Sequence, residues 1–359
     1  MIEHNDIRAA VAAGVLTEQQ AAGLISLSDH RRGARANLSR GEEPFELFKG
    51  FNEIFIVIGL LILATGWTGV AAVAYADSIN NPQQAAVPFG LVGALILWLL
   101  SEYFVRRRLM VAPAIALSVL FAGNAAFALT AYFAQPFMVA QQDFSSLPLP
   151  FALGTLALFL YWLRFRVPFA MAMIAVGLFI VAVLVAATMS GTPSSLEEMF
   201  LLSAGGPFAW ITLILGILVF AVAMWFDTSD PHRVTRRSAN GFWLHVVAAP
   251  ALVNTIALSL LSQESMFGNV ALFAVLILFA LVAIIIDRRS FLIAAIGYVV
   301  VLGGTLFNGD SAMLIILILG IVLLLLGAFW ERIRAVLLGL MPGFVPLHKL
   351  PPSTRSDLS

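Results

Sequence analysis

The sequence predicts an all-α integral membrane protein: a polytopic bundle of about ten transmembrane helices, both ends cytoplasmic, preceded by a short N-terminal cytosolic helical hairpin. Three observations predict it. Hydrophobic residues fill 61% of the 359 positions and charged residues 11%, whereas a soluble domain is nearer half apolar and a quarter charged. So little charge cannot cover a water-facing surface of ordinary size. Apolar runs of roughly 20 residues, enough to cross a ~30 Å hydrocarbon core, recur along the chain. Finally, the basic residues are confined to alternate connections between those runs.

Residues 1–50 read as the cytosolic segment. They carry six basic residues and no apolar run long enough for the core of a signal peptide, so the first apolar run is expected to act as an uncleaved anchor. Asp6 is placed to cap a short helix that runs to Ala13 and stops at Gly14. Thr17 with Gln20 makes a capping box for a second helix, from about Glu18 to Leu27. Val15, Leu16, Ala21, Leu24 and Ile25 let this pair fold back on itself or on the membrane face. Arg31–Gly41 is basic and turn-rich, a linker.

Residues 51–341 form the bundle. The apolar runs are Ile54–Ala76, Ala86–Tyr103, Met110–Phe133, Leu147–Leu163, Val167–Thr188, Pro207–Phe226, Phe242–Leu261, Phe267–Ile286, Phe291–Phe307 and Ala312–Trp330. They are continuously apolar and too long for the alternating strands of an outer-membrane barrel, so helices are expected. Residues 342–359 read as a disordered cytosolic tail.

Orientation follows from charge. Arg106–Arg108, Arg164 and Arg166, Arg233, Arg236 and Arg237, Arg288 and Arg289 occupy every second gap, and the remaining Lys and Arg lie at the two ends. The other gaps carry only Asp77, Asp143, Glu197, Glu198, Glu264 and Asp310. Short loops rich in Lys and Arg stay cytoplasmic, which places all 20 basic residues on one side. Trp98, Tyr103, Tyr161, Trp162, Trp225, Trp243 and Trp330 fall toward that side and are expected to form its aromatic belt, with Trp210 at the opposite interface. Ser194 or Ser195 is expected to start a short interfacial helix through Leu202 that ends near Gly205.

The segment Ala10–Leu27 (AVAAGVLTEQQAAGLISL) preceding Phe48–Trp67 (FKGFNEIFIVIGLLILATGW) resembles a bacterial predicted-membrane-protein family, that of the domain of unknown function numbered 2157. Arg236–Thr255 (RRSANGFWLHVVAAPALVNT) is similar to a segment recurring in related proteobacterial membrane proteins. The resemblance implies a cytosolic helical cap followed by a multi-span bundle, and it brings no activity, substrate or catalytic residue.

Ionisable groups deep in hydrocarbon are functional hypotheses by default, and no Asp, Glu, Lys or Arg lies in the middle third of any run. That argues against a carboxylate-centred ion-coupled transporter. His245, about one turn from the inner end of the seventh run, binds a ligand, relays a proton or bonds a neighbouring carbonyl. Asn254, nine residues on, falls on the opposite helical face unless Pro250 changes the relation. Asn124, midway along the third run, fits a cross-helix hydrogen bond. Trp67 and Tyr298 either line a cavity or pack. Glycines seven apart, Gly59 with Gly66 and Gly320 with Gly327, and the alanine pairs Ala112, Ala116 and Ala122, Ala126 read as close-packing faces.

No cofactor, metal set, phosphate loop or nucleophile elbow is legible, and the scattered arginines do not make a nucleic-acid surface. Absence of cysteine removes disulfides, thiolate metal sites and a thiol nucleophile. The expected partners are the lipid bilayer and a cytosolic or membrane protein docked at the N-terminal hairpin. Three functions follow in order. The first is a non-catalytic envelope protein of the inner membrane, the second a permease for a small neutral or apolar solute, with five-plus-five repeats. The third is a membrane enzyme using His245.

Overall fold

A computed structural model describes residues 10–11, 13–17, 20–21, 51–77, 82–135, 138–141, 143–193, 195, 197–231, 233, 235–306, 312–341 and 347–351. By its internal contacts the chain divides into a unit of residues Met1–Pro44 and a unit of Phe45–Ser359. In the first, the expected capping box is present. Thr17 N–H donates to Gln20 Oε1 at 3.0 Å, and Gln20 N–H donates to Thr17 Oγ1 at 3.3 Å. The preceding turn closes as expected at Gly14, whose φ of +70° suits glycine. The expected cap Asp6, the second helix beyond Ala21 and the linker lie outside the described residues.

The second unit is all helix, with no strand among the described residues. In chain order its long helices are α1 (Phe51–Asp77), α2 (Pro82–Ser101), α3 (Val111–Phe133), α4 (Pro148–Phe165) and α5 (Pro168–Ser190), with a single turn at Met138–Gln141 before α4. They continue as α6 (Phe208–Ser229), α7 (Arg236–Leu261), α8 (Met266–Ile285), α9 (Ser290–Leu306) and α10 (Ala312–Gly339). Among the described residues eight helices, α1 to α8, are long and apolar enough to cross a membrane. The chain is thus a helical membrane protein whose apolar helices contact lipid.

Local sequence explains the breaks. Pro148 and Pro168 open α4 and α5 at first-turn positions, where a missing N–H costs nothing. Thr235 caps α7 by accepting from Arg237 N–H, and Ser265 caps α8 by accepting from Gly268 N–H. α10 is broken at Phe329, whose backbone leaves the helical region where the apolar run ends.

Two apolar cores share α7 as a wall. One gathers Leu117 and Phe121 of α3, Leu158 and Tyr161 of α4, Ile174 of α5 and Leu244 of α7. The other gathers Val253 and Ala257 of α7, Leu272 and Leu276 of α8, and Phe291 of α9. α7 is 56% buried over its apolar stretch, against 6% for α1. Its composition explains this. Small residues such as Ala248, Ala249 and Ala257, fully enclosed, let α5, α6, α8 and α9 close around it.

Several expectations need correction. Tyr161, Trp162 and Trp330 are buried at helix contacts rather than set in a headgroup belt. Trp98 also packs inward, on Phe121, Tyr161 and Phe165, whereas Trp225, Tyr103 and Trp210 do face outward. The connection before α6 makes two 3₁₀ turns, Glu197–Met199 and Leu202–Ala204, and no single helix. The Ser259 hydroxyl on α7 accepts from Leu202 N–H at 2.9 Å and donates to Phe200 C=O at 3.2 Å. Those two groups are therefore lost to a helical ladder. At Gly59, Gly66, Gly320 and Gly327 an added Cβ would meet nothing within 4 Å, so these are not packing faces among the described residues. Close approaches fall instead at Gly90, Gly93, Gly177, Gly216, Gly241 and Gly268. Within the stretch read as a tail, Leu347–Lys349 forms a turn and Pro351 is buried, its carbonyl accepting from Arg334.

Candidate functional site

The densest buried polar cluster in the described structure centres on Asp227, near the C-terminal end of α6. An aspartate there faces the negative end of its own helix and needs cations close by. Two side chains supply donors. Arg288, in the turn between α8 and α9, forms a two-pronged ion pair with Asp227: Nε donates to Oδ2 at 3.0 Å and Nη2 to Oδ1. His245 Nε2 lies 3.0 Å from Asp227 Oδ2. Arg288 Nη2 also donates to the Ser238 carbonyl at 2.8 Å, which ties the cluster to the first turn of α7. Exposure is 0% for His245, 6% for Asp227 and 7% for Arg288, so the cluster is closed to solvent.

α7 is built to receive the carboxylate. Gly241 and His245, four residues apart, share a helical face. An added Cβ at Gly241 would lie 2.3 Å from Asp227 Oδ1 and 3.2 Å from the Ala223 carbonyl. Gly241 makes room and His245 makes the bond. The His245 ring is flanked by Phe220 and Phe291, with ring centres 5.4 and 6.0 Å away. Its Nδ1 has no hydrogen-bond partner among the described residues. Because a carboxylate only accepts, Nε2 carries the proton in the neutral tautomer, and Nδ1 presents a bare lone pair to apolar surroundings.

A second ionic layer is attached through the neighbouring residue. Asp287 accepts from Arg233 Nη1 at 2.7 Å and from Trp330 Nε1 at 2.6 Å. Arg233 Nη2 further donates to the Ile286 and Asp287 carbonyls. Both Arg233 and Asp287 hold left-handed backbone, φ +54° and +55°, which non-glycine residues adopt at a cost. Burial, and then Arg288 nearby, push the Arg233 guanidinium below its usual value, while Asp287 and Asp227 hold it up. The turn holding Asp287 and Arg288 therefore joins α6, α7 and α10 at one end of the bundle.

The sequence candidates distribute as follows. His245 is in the cluster. Asn254 is half-buried and makes no hydrogen bond to it, as the helical spacing implies. Asn124 and Trp67 both approach Gly93. A Cβ there would lie 2.2 Å from Asn124 Oδ1 and 2.8 Å from Trp67 Nε1. The Asn124 amide donates to its own helix at Leu120 O, 2.9 Å away, and Trp67 packs on Phe89. Tyr298 packs against the second apolar core. Reading the sequence missed Asp227, Arg288 and Gly241, since Asp227 and Arg288 looked like ordinary ends of apolar runs. The legible signal was Gly241 four residues before His245. It also missed the fully buried Ser101–Tyr161 hydroxyl pair at 2.8 Å and the Trp162–Asn240 contact at 3.5 Å.

Chemically, the cluster combines a shared carboxylate, a fixed guanidinium and an imidazole with one idle nitrogen. It holds helices together. Among the described residues no three His, Cys, Asp or Glu side chains gather as a metal site. The chain matches no family model, no curated protein and no solved structure.

Proposed function

We propose that the chain is a ten-span bacterial inner-membrane protein with both ends cytoplasmic, a non-catalytic bundle that docks a cytosolic or membrane partner through its N-terminal hairpin. Ten crossings and this orientation are supported by the segregation of all 20 Lys and Arg to alternate segments. The resemblance of Ala10–Leu27 and Phe48–Trp67 to the family of domain 2157 belongs to the same reading. The observation that carries the non-catalytic role is the state of the buried ionic cluster. Asp227 is saturated by Arg288 and His245, with no open face toward solvent. The N-terminal segment, by contrast, holds its own capping box at Thr17 and Gln20 and leaves Val15 74% exposed. The test is complementation of a gene deletion by a chain lacking residues 1–40. Loss of function with normal membrane insertion is expected, and full function of the truncated chain would contradict the docking role.

A second reading, a proton-linked permease, is favoured by the idle Nδ1 of His245 beside Asp227. It requires that proteoliposomes carrying the purified chain acidify under an imposed gradient and that His245→Gln abolish the flux. Equal flux in both would remove it.

A further inference from the structure

The geometry points to a binding site for an anionic phospholipid at the arginine-bearing ends of α2 and α4, one suited to a headgroup with two phosphodiesters. The proposal rests on the membrane reading above. α2 is prolonged by a π-helical turn, Glu102–Arg107, closed by Arg108 N–H donating to Tyr103 C=O at 3.0 Å. Such turns are rare and collect at functional sites. The chain then reverses within three residues, Leu109 taking φ +53°, and enters α3. The facing turn between α4 and α5 is two residues long, with Arg166 at φ +51°. Five exposed arginines, at positions 106, 107, 108, 164 and 166, are thus pinned by two short, strained turns.

Among the described residues, Glu102 is the one carboxylate paired with this set. Glu102 pairs with Arg164 at 2.7 Å and Arg106 at 3.2 Å, which places the two turns side by side and leaves four positive charges uncompensated. The other guanidinium groups are held without being neutralised. Arg108 donates to the Tyr103 hydroxyl at 3.1 and 3.2 Å, and Arg166 stacks 4.7 Å above the Trp162 ring. Arg107 has no ion pair or hydrogen bond among the described residues. A stacked or tethered guanidinium keeps planar donors free for bidentate contact with phosphate. Apolar rows run straight up from these cations. Leu95, Leu99 and Tyr103 on α2 and its extension, and Leu156, Leu160 and Arg164 on α4, recur every four residues and are all exposed. A ligand fitting this surface carries acyl chains as well as phosphate, so a lipid fits and inorganic phosphate alone does not.

The test uses the full-length chain purified in mixed micelles, titrated with labelled diphosphatidylglycerol. Phosphatidylcholine of the same acyl composition and inorganic phosphate serve as competitors. The wild type is expected to prefer the diphosphate lipid and to resist displacement by either competitor. Since each arginine near an anionic headgroup contributes about fivefold, Arg107→Gln with Arg166→Gln should weaken binding about 25-fold. The matching pair of Lys substitutions keeps most of the affinity and shows that the fold survives. Equal affinity for phosphatidylcholine, complete displacement by phosphate, or unchanged binding by the Gln pair would overturn the site. So would an acidic protein co-purifying with the wild type alone while lipid affinity stayed the same. Release of both chains from membranes by alkaline carbonate would instead overturn the membrane reading, and the site with it.

Discussion

A methyl group at Gly241 would sit inside hydrogen-bonding distance of a carboxylate that already has three donors, so the effect of Gly241→Ala is a clash with Asp227 and with the Ala223 carbonyl. Overpacking of this kind costs about 1–3 kcal/mol. We expect a lowered thermal midpoint in detergent, and an unchanged midpoint would mean that α6 and α7 sit farther apart than described. Asp227→Ala removes the acceptor and leaves the Arg288 guanidinium buried with the Ser238 carbonyl and the Phe242 ring but no carboxylate. Breaking one side of a buried pair costs about 3–5 kcal/mol, whereas replacing both members by apolar residues is often neutral. The double variant Asp227→Leu, Arg288→Met should therefore be markedly more stable than Asp227→Ala, as read by denaturant-induced loss of helix circular dichroism. These residues escaped the sequence reading for a physical reason. Each lies at the end of an apolar run, where charge is ordinary, and only the packing of α7 against α6 turns those ends inward.

At the scale of elements, α1 is the least enclosed of the eight helices long enough to span and α7 the most. Glu53 supplies one of the links that hold α1. Its side chain is 2% exposed, and Oε2 accepts the Ala112 N–H at 3.2 Å in the first turn of α3, where a carboxylate meets the positive end of the helix. Glu53→Gln should weaken that hold by about 0.3–2 kcal/mol. The change is measurable as faster amide exchange in α1, with α7 unaffected; equal protection in α1 would show that apolar contact alone retains it. Gly93 is the corresponding close approach in the middle of α2. Gly93→Ala must displace Asn124 or Trp67, again at about 1–3 kcal/mol, visible as altered Trp67 emission. Helix positions were legible from apolar run length, since each of the ten runs coincides with a helix of the structure. The partners of those helices were not. Seven-residue glycine spacing pointed to Gly59 and Gly66, which face open space, while the contacting Gly93 and Gly241 carry no repeat.

For the whole molecule, composition was enough to predict helices in a membrane, because 11% charge leaves no other solvent for so large an apolar surface. Aromatic placement was read too simply: a ring near a helix end suits a headgroup zone and a helix contact equally, and Trp98, Tyr161 and Trp330 took the second. The proposed orientation rests on charge, and the structure refines how to test it. Ser238 is nearly enclosed, with its carbonyl bonded to Arg288, so probes belong at the exposed Ser229 and Gln263. The chain has no cysteine, so single substitutions Ser229→Cys and Gln263→Cys report without background. With a membrane-impermeant maleimide on intact cells, the account predicts labelling at position 263 alone and labelling at 229 only after permeabilisation. Labelling of 229 in intact cells, with 263 spared, would contradict it.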